Sequence, residues 1–471
     1  MAGRHHAGDF RPMAGPDLIT SYFCKFTGKK LAVLGFGFEG KQLCRFLSPF
    51  TKNITVFDQK KPADLDPDWR AYHRRGVEFI CGPDYLGKGL TGFDYIFRSP
   101  GFHRLAPALV RAEKKGSLIS SATKIFFDLC PGHIIAVTGT KGKGTTSTLI
   151  NLMFKKAGRS TYLAGNVGLP MLPLLKRLKP EDYVVLELSS FQLQDLHKSP
   201  EISVVLFITS EHLDVHRSTN EYIKAKSQLV RHQSRKDITV LNADNPVSSS
   251  FAAFTKAKVH YFSRRRQTNA AYVLKGNIYF KDKIIGPVSN LQLRGEHNWD
   301  NVCAAISAAL LSGVPLSVVK QTAFTFKGLE HRLEYVRSVN GVAYYNDSFS
   351  TNPESTIAAV NSFKEPLLLI AGGSDKQADY TRLGRVIAAS TVKTLILIGQ
   401  TADRIKKSTL KGGYQGSLIW KPPNMSEIVA CARQAAAPGD VVLLSPASAS
   451  FDMFADYHQR GELFKKYVNQ I

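Results

Sequence analysis

The segment that most restricts how this chain can fold is Ile134-Ile135-Ala136-Val137, running directly into Thr138-Gly139-Thr140-Lys141-Gly142-Lys143-Gly144-Thr145-Thr146. The apolar run predicts a buried strand, and Ser147 to Lys156 predicts a helix. Glycines between the two let backbone N–H groups approach a polyphosphate, and the helix N-terminus adds a favourable dipole. Lys143 is expected to reach the β- and γ-phosphates, and a threonine hydroxyl to meet Mg²⁺. Gly139, Thr140, Lys141, Gly142, Lys143, Gly144, Thr145 and Thr146 are therefore candidate ATP contacts. The spacing departs from the common G-x-x-x-x-G-K-[ST]. Gly144 follows the lysine, so the metal-facing hydroxyl falls one place later, to Thr145, or to Thr146.

A chain of 471 residues exceeds one core and predicts two to four domains. Three segments emerge. The first opens with Lys30-Leu31-Ala32-Val33-Leu34 and the G-x-G-x-x-G of Gly35-Phe36-Gly37-Phe38-Glu39-Gly40; a second strand, Ile54 to Phe57, ends at Asp58, 18 residues after Gly40. That spacing is the dinucleotide fingerprint with its acidic ribose ligand. Any nucleotide or nucleotide-sugar could use it, and Asp58 also reads as a plain strand-end turn residue. Tyr95-Ile96-Phe97 predicts a third strand, turning at Arg98-Ser99-Pro100-Gly101, where ligands of open α/β sheets bind. The second segment carries the glycine-rich loop, strands at Tyr183 to Glu187, Ser203 to Ile208 and Ile238 to Leu241, and a helix from Gly295 to Ala309. The third predicts strands at Val342 to Tyr345, Leu367 to Ala371, Thr394 to Ile398 and Val441 to Leu444, with helices between them. The alternation implies an α/β fold with mostly parallel sheets.

Charge and cysteine usage narrow the function classes. The formal net charge is +24, but the basic clusters (Lys29-Lys30, Lys60-Lys61, Arg74-Arg75, Arg264-Arg265-Arg266, Lys406-Lys407) are short and not interleaved with aromatics. A solvated basic surface favouring anionic small substrates is expected, and no nucleic-acid partner. No apolar run spans a membrane, and residues 1–16 lack a signal-peptide core and read as a disordered arm. Six scattered cysteines without a C-x-x-C pair suit reduced thiols in a cytoplasm.

Strands that end in acids or histidines beside a phosphate-binding loop are where a metal–phosphate site would be built. Glu187 ends one such strand, and Thr209-Ser210-Glu211-His212-Leu213-Asp214 follows another. Glu187 offers the hard oxygen that Mg²⁺ takes. On the residues alone, His212 reads as a satisfied structural histidine and Lys226, four after Tyr222, as a solvated helix lysine.

The motifs in order are Gly35 to Gly40, Ser99-Pro100-Gly101, Thr138 to Thr146, Gly165-Asn166-Val167-Gly168, Glu187-Leu188-Ser189-Ser190-Phe191-Gln192-Leu193, His212-Leu213-Asp214, Tyr222 to Lys226, Gly295 to Asn298, His331-Arg332, Asn346-Asp347-Ser348, Asp375-Lys376 and Ser445 to Asp452. In this order, and over nearly the whole length from Gly28 to Tyr467, the chain resembles the Mur ligases, the ATP-dependent amide-forming enzymes of peptidoglycan synthesis, and among them those that add D-glutamate. The resemblance implies three domains after an arm at 1–25: a Rossmann-like UDP-substrate domain at 26–120, a central P-loop ATPase domain at 121–326, and a Rossmann-like amino-acid domain at 327–471. It implies a monomer that phosphorylates the carboxylate of UDP-N-acetylmuramoyl-L-alanine with Mg·ATP, then lets D-glutamate attack the acyl phosphate. By the same resemblance Lys143, Glu187, His212 and Lys226 are catalytic, Lys226 being carbamylated; Thr145, Glu187 and His212 face the metal; and Asn298, Arg332 and Asp347 join the ATP contacts. Phe38, Glu39, Asp58, Gln59, Lys60, Ser99, Gly101 and Asn166 would meet the UDP substrate, and Thr351, Lys376, Ser450, Phe451 and Tyr457 the amino acid.

The chain also departs from its relatives. Gly144 gives a G-K-G-[ST] loop like that of folylpolyglutamate synthases, Phe349 stands where D-glutamate ligases carry a lysine, and Tyr457 where they carry a phenylalanine. Glu354 would repel a second substrate carboxylate. A Mur-type ligase for another amino acid, a folylpolyglutamate synthase-like ligase, a nucleic-acid-stimulated ATPase and an NAD(P) oxidoreductase are the competing readings.

Overall fold

The computed structural model describes residues 16–87, 89–209 and 218–471. They form two compact units: the described residues of 16–286 with 300–322, and residues 287–299 with 323–471.

The first unit holds two parallel sheets. Strands β1 (Leu31–Leu34), β2 (Ile54–Asp58), β3 (Glu78–Cys81), β4 (Tyr95–Arg98) and β5 (Leu118–Ser120) lie in the order β3-β2-β1-β4-β5, every neighbouring pair parallel. The strand order reverses between β1 and β4, so a crevice opens at their carboxyl ends. Strands β6 (His133–Thr138), β7 (Thr161–Gly165), β8 (Tyr183–Glu187), β9 (Ile202–Val205), β10 (Ile238–Asn242) and β11 (Lys258–Phe262) form the second sheet in the order β11-β10-β9-β6-β8-β7, also parallel. Here the switch point lies at β6, between β9 and β8. A small sheet of β12 (Ala271–Leu274), β13 (Asn277–Phe280) and β14 (Lys283–Pro287) follows, β12 antiparallel to β13.

The second unit carries β15 (Glu334–Val339), β16 (Val342–Asn346), β17 (Leu367–Gly372), β18 (Val392–Ile398), β19 (Ser417–Trp420) and β20 (Val441–Leu444), ordered β15-β16-β20-β17-β18-β19. Only the edge strand β15 is antiparallel in this sheet. One apolar cluster, with Leu369, Leu395 and Leu443, covers one face, and another, with Ile370, Ile396 and Leu444, covers the other. Strands buried on both faces read as unbroken aliphatic runs, which is why β1, β9, β17 and β20 were visible by eye.

Several expectations change. The strand at Tyr95 is the fourth of its sheet, because the half-exposed β3 gives no apolar run. The helix after the glycine-rich loop begins at Lys143, four residues before Ser147. The segment expected as an arm is helical from Pro16 to Cys24. Its Phe23 is fully buried against Phe26, Phe46 and Phe50, and the Tyr22 hydroxyl donates to Asp128 at 2.8 Å. Burying one such ring contributes about 1.5–3 kcal/mol, which a solvated arm could not match. Residues 1–15 lie outside the described residues, as does 210–217 with the candidate His212. Among the described residues no helix is long and apolar enough to cross a membrane. All six cysteines are free thiols.

Candidate active site

The glycine-rich loop leaves the carboxyl end of β6 at the switch point of the second sheet. Gly142 caps the helix Lys143–Lys156 at φ +86, a left-handed conformation that a Cβ disfavours, and an added Cβ would lie 2.0 Å from Asn301 Oδ1. Gly139 is equally close-packed: a Cβ there would meet Leu206 Cβ at 2.7 Å. Lys143 curls over its own loop and donates to the carbonyls of Gly139 (3.2 Å) and Thr140 (2.9 Å). Its ammonium therefore already sits over the helix N-terminus where an anion would dock. Thr146 is fully buried and its hydroxyl turns to Asn301, whereas Thr145 stays partly exposed. Of the two hydroxyls, Thr145 is the one open to a metal. Lys141 is exposed at the loop tip.

Two neighbouring strands bring acid and base to this loop. Glu187 ends β8, opposite Val137 of β6, and is 6% exposed. The Asn166 N–H donates to the Glu187 carbonyl at 3.0 Å, which brings the Gly165–Gly168 motif beside it. Lys226 projects from the helix Thr219–Arg231 and donates to Gly139 O at 2.9 Å. It is 1% exposed, which corrects the reading of it as a solvated lysine. The helix presents Tyr222, Ala225, Lys226 and Leu229 as one buried face, so residue type alone points Lys226 to the wrong side. The Tyr222 hydroxyl and Thr140 Oγ1 lie 3.0 Å apart, and the Thr209 N–H donates to Thr140 Oγ1 at 3.0 Å. These bonds hold the loop, the end of β9 and the lysine helix together.

The crevice of the first sheet gathers most of the expected UDP contacts. The Phe36 N–H donates to Asp58 Oδ2 at 2.7 Å and the Lys60 N–H to Asp58 Oδ1 at 2.9 Å. Asp58 thus braces the loop after β1 with one oxygen and its own turn after β2 with the other, the turn role the sequence left open. Ser99 lies against Gly35, its hydroxyl donating to the Gly35 carbonyl at 3.4 Å. Gly40 is required by close approach, since a Cβ would stand 1.9 Å from Gly35 O. Phe38 is 63% exposed, and Gln59, Lys60 and Gly101 are exposed on the same carboxyl side. Glu39 is held by Gln192, whose Nε2 donates to Oε1 at 3.0 Å; burial raises its pKa, with Gln192 and Arg98 opposing.

In the second unit the candidates lie at the carboxyl ends of β16, β20 and β17. Asp347 follows β16 and accepts from Ser445 Oγ at 2.7 Å and the Leu333 N–H at 3.1 Å. Burial pushes its pKa up to about 6. The Arg332 guanidinium lies 3.8 Å over the Phe349 ring, which meets Tyr457 edge-on at 5.0 Å. The Thr351 N–H donates to Phe349 O, keeping Thr351 in the same loop. Lys376 Nζ lies 5.4 Å over the ring of Phe451, itself 67% exposed, whereas Ser450 is 2% exposed. Glu354 is paired with Arg382 at 2.7 Å, so its charge is compensated. Non-glycine residues with positive φ flank these groups: His331, Leu333, Gln377 and Ala447.

Two residues were missed by motif reading. Asn298 donates to Arg294 O at 2.6 Å, and it is Asn301, three residues on, that packs against Gly142. Arg460 is fully buried, donating to Ser348 Oγ and O (2.9 Å each) and to the carbonyls of Ser448 (3.1 Å) and Ala449 (3.4 Å). It ties the Asp347-Ser348 loop to the Ser448–Ser450 loop, and burial lowers its pKa to about 10. Its polar helix gave no signal; the helical spacing of Arg460, Gly461, Phe464 and Val468 as a buried face could have.

Comparison with known proteins places the chain in a family. The Mur ligase middle domain matches residues 137–309, and the Mur ligase glutamate ligase domain residues 331–448. The UDP-N-acetylmuramoylalanine–D-glutamate ligase of Acetivibrio thermocellus is 43% identical over 457 residues, 95% of this chain and 97% of its own. That of Symbiobacterium thermophilum is 41% identical over 450 residues, 94% and 98% of the two chains. Among solved structures, a MurF ligase from Thermotoga maritima in complex with ADP shares the fold at a TM-score of 0.56 and 16% identity, covering 95% of this chain and 97% of its own. A pseudomurein peptide ligase type C from Methanothermus fervidus does so at 0.55 and 16%, covering 93% and 99%. With two domain matches in order and relatives this similar along almost its full length, the chain belongs to the Mur ligase family.

Proposed function

We propose that this chain is an ATP-dependent ligase that joins D-glutamate to UDP-N-acetylmuramoyl-L-alanine in peptidoglycan precursor synthesis. The observation that carries the reading is the 43% identity, over 95% of the chain, to a ligase named for that reaction. The three-domain division at 26–120, 121–326 and 327–471, monomeric action and a cytoplasmic setting belong to the same reading.

A carboxylate is a poor electrophile, so the first step transfers the γ-phosphoryl of ATP to the alanyl carboxylate and releases ADP. The amine of D-glutamate then forms the C–N bond, loses a proton, and phosphate leaves. Catalysis of this kind is positioning plus neutralisation of crowded anions. Lys143 and the N–H groups of Gly142 to Thr145 would cradle the phosphates. The donor set suits Mg²⁺: Glu187 supplies hard oxygen at a buried strand end and Thr145 an accessible hydroxyl. When bound, the ion supplies charge neutralisation across the phosphates. Carbamylated Lys226 and His212 would complete that surround. Arg332, Asp347 and Asn298 would meet the nucleotide, and Thr351, Lys376, Ser450, Phe451 and Tyr457 the amino acid. Phe38, Glu39, Asp58, Gln59, Lys60, Ser99, Gly101 and Asn166 would line the UDP end.

The test is phosphate release from Mg·ATP with UDP-N-acetylmuramoyl-L-alanine across D- and L-amino acids. Release that needs both the UDP substrate and D-glutamate is expected. Release with another amino acid would move the specificity, and no release with the UDP substrate would overturn the reading.

A further inference from the structure

Arg98 is a charged residue with almost no exposure. It ends β4, is 1% exposed, and immediately precedes the Ser99-Pro100-Gly101 turn. Its guanidinium makes contacts in two directions. Nη1 donates to Phe102 O at 2.8 Å, so the turn wraps around its own arginine. Nε and Nη2 reach Asp195 Oδ2 at 2.8 and 2.7 Å, and Nη2 donates to Phe191 O at 2.6 Å. Asp195 is 4% exposed and gives its other oxygen to Arg104 Nε at 2.8 Å. Phe191 lies in the short helix Ser190–Leu193 of the turn after Glu187, and Asp195 just after that helix.

That same turn has other ties. Leu188 is fixed to β6, donating to Val137 O and accepting from Thr138 Oγ1 at 2.9 Å. Gln192 accepts from the Ser189 N–H with Oε1, and donates to Glu39 with Nε2. The segment from Glu187 to Asp195 therefore starts at the end of β8, bonded to β6, the strand that carries the glycine-rich loop. It ends gripping both lips of the nucleotide crevice: the helix beginning at Phe38 and the end of β4.

Net stability does not account for this arrangement. Buried ion pairs roughly break even against apolar groups of the same size, so retaining one points to geometry. Only a guanidinium has donors enough, fixed in one plane, to serve Asp195, Phe191 and Phe102 at once.

We propose that Arg98 and Asp195 are positioning residues that set the distance between the crevice for the UDP end of the substrate and the acidic strand end beside the phosphate-binding loop. The inference rests on the ligase reading. Arg98 acts through the Ser99–Gly101 turn, and Asp195 through the turn after Glu187. A substrate that spans both places is the one whose binding depends on their separation; ATP is not.

The test compares Arg98→Lys, Asp195→Asn and the apolar double variant Arg98→Met/Asp195→Leu with the unmodified full-length chain. The readouts are melting temperature, and KM and kcat for each substrate. The double variant removes both buried charges, leaves Arg104 its pair with Glu113, and is expected to melt within a few degrees of the parent. All three variants are expected to raise KM for UDP-N-acetylmuramoyl-L-alanine tenfold or more, with KM for ATP and kcat changed less than threefold. A KM for the UDP substrate equal to the parent's in a folded variant would overturn the inference. So would a uniform loss of activity that follows melting temperature with every KM unchanged. Absence of UDP-substrate-dependent turnover in the parent chain would overturn the ligase reading itself, and this inference with it.

Discussion

The carbonyl oxygen of Gly139 is shared by two lysines: Lys226 Nζ donates to it at 2.9 Å and Lys143 Nζ at 3.2 Å. Both ammonium groups are thus held at the mouth of one glycine-rich loop by neutral acceptors, Lys143 also reaching Thr140 O at 2.9 Å. A polyphosphate is a stronger acceptor for an ammonium than a carbonyl, because attraction between full charges adds to the hydrogen bond. On the proposed reading, Lys143 would exchange its carbonyl bonds for bonds to the phosphates.

Lys143 supplies the cation nearest the helix N-terminus. Lys143→Ala is expected to lower kcat by about 10²-fold or more, the scale seen when one preorganised donor is removed. Near-normal turnover would return the loop to an ordinary turn. Lys226→Ala is expected to lose turnover as well, and to regain part of it with added short carboxylates, which replace the anion a carbamate would provide. Activity that is full without rescue would remove Lys226 from the site.

Gly142 and Asn301 test the shape of the loop. A methyl at Gly142 meets Asn301 Oδ1 at 2.0 Å, and φ +86 is strained for any residue with a Cβ. Gly142→Ala is expected to raise KM for ATP more than tenfold. Adding Asn301→Ala removes the clash but not the backbone strain, which costs about 1–2 kcal/mol. The double variant should therefore recover only part of the affinity. Full recovery in nucleotide titrations would mean that the clash, not the left-handed backbone, is what matters.

Asp347 gives a pH dependence with a definite sign. Its pKa rises from 3.8 to about 6 on folding, through burial. Folding is favoured by protonation, so this contribution is fully present below about 3.8 and lost as pH rises through about 6. The shift corresponds to roughly 3 kcal/mol at most. Asp347→Asn carries no such loss, so its stability relative to the parent should increase between pH 4 and pH 7. Denaturant melts at several pH values measure this. A difference that does not vary with pH would mean the carboxyl ionises normally.

What the sequence made legible follows from physics that is local. The strands buried on both faces, the glycine-rich loop and the acid ending β8 all announce themselves in a few consecutive residues. The misses depend on contacts between distant segments. Lys226 was placed in solvent because a lysine on a helix usually is; only the packing of Tyr222 and Leu229 shows that its face is inward. Arg460 binds carbonyls of Ser348 and Ser448, and no spacing within its own helix foretells those acceptors. β3, β15 and β19 are partly exposed edge strands whose apolar runs are too short to stand out.

Phe349 stands where the sequence resemblance implies a lysine, and the geometry gives it a different task. Its ring lies 3.8 Å beneath the Arg332 guanidinium and is steadied edge-on by Tyr457 at 5.0 Å. Phe349 is 39% exposed, so the cation–π contact is worth about 0.5–1 kcal/mol. On the proposed reading, that energy would help hold Arg332 ready for an anionic ligand. Phe349→Leu keeps the apolar bulk and removes the ring face, and is expected to raise KM for ATP about two- to fivefold with kcat within twofold. Phe349→Tyr keeps the face and should leave KM unchanged. Equal KM values for the leucine and tyrosine variants would separate Arg332 from the ring, and leave the substitution at Phe349 without a role in nucleotide binding.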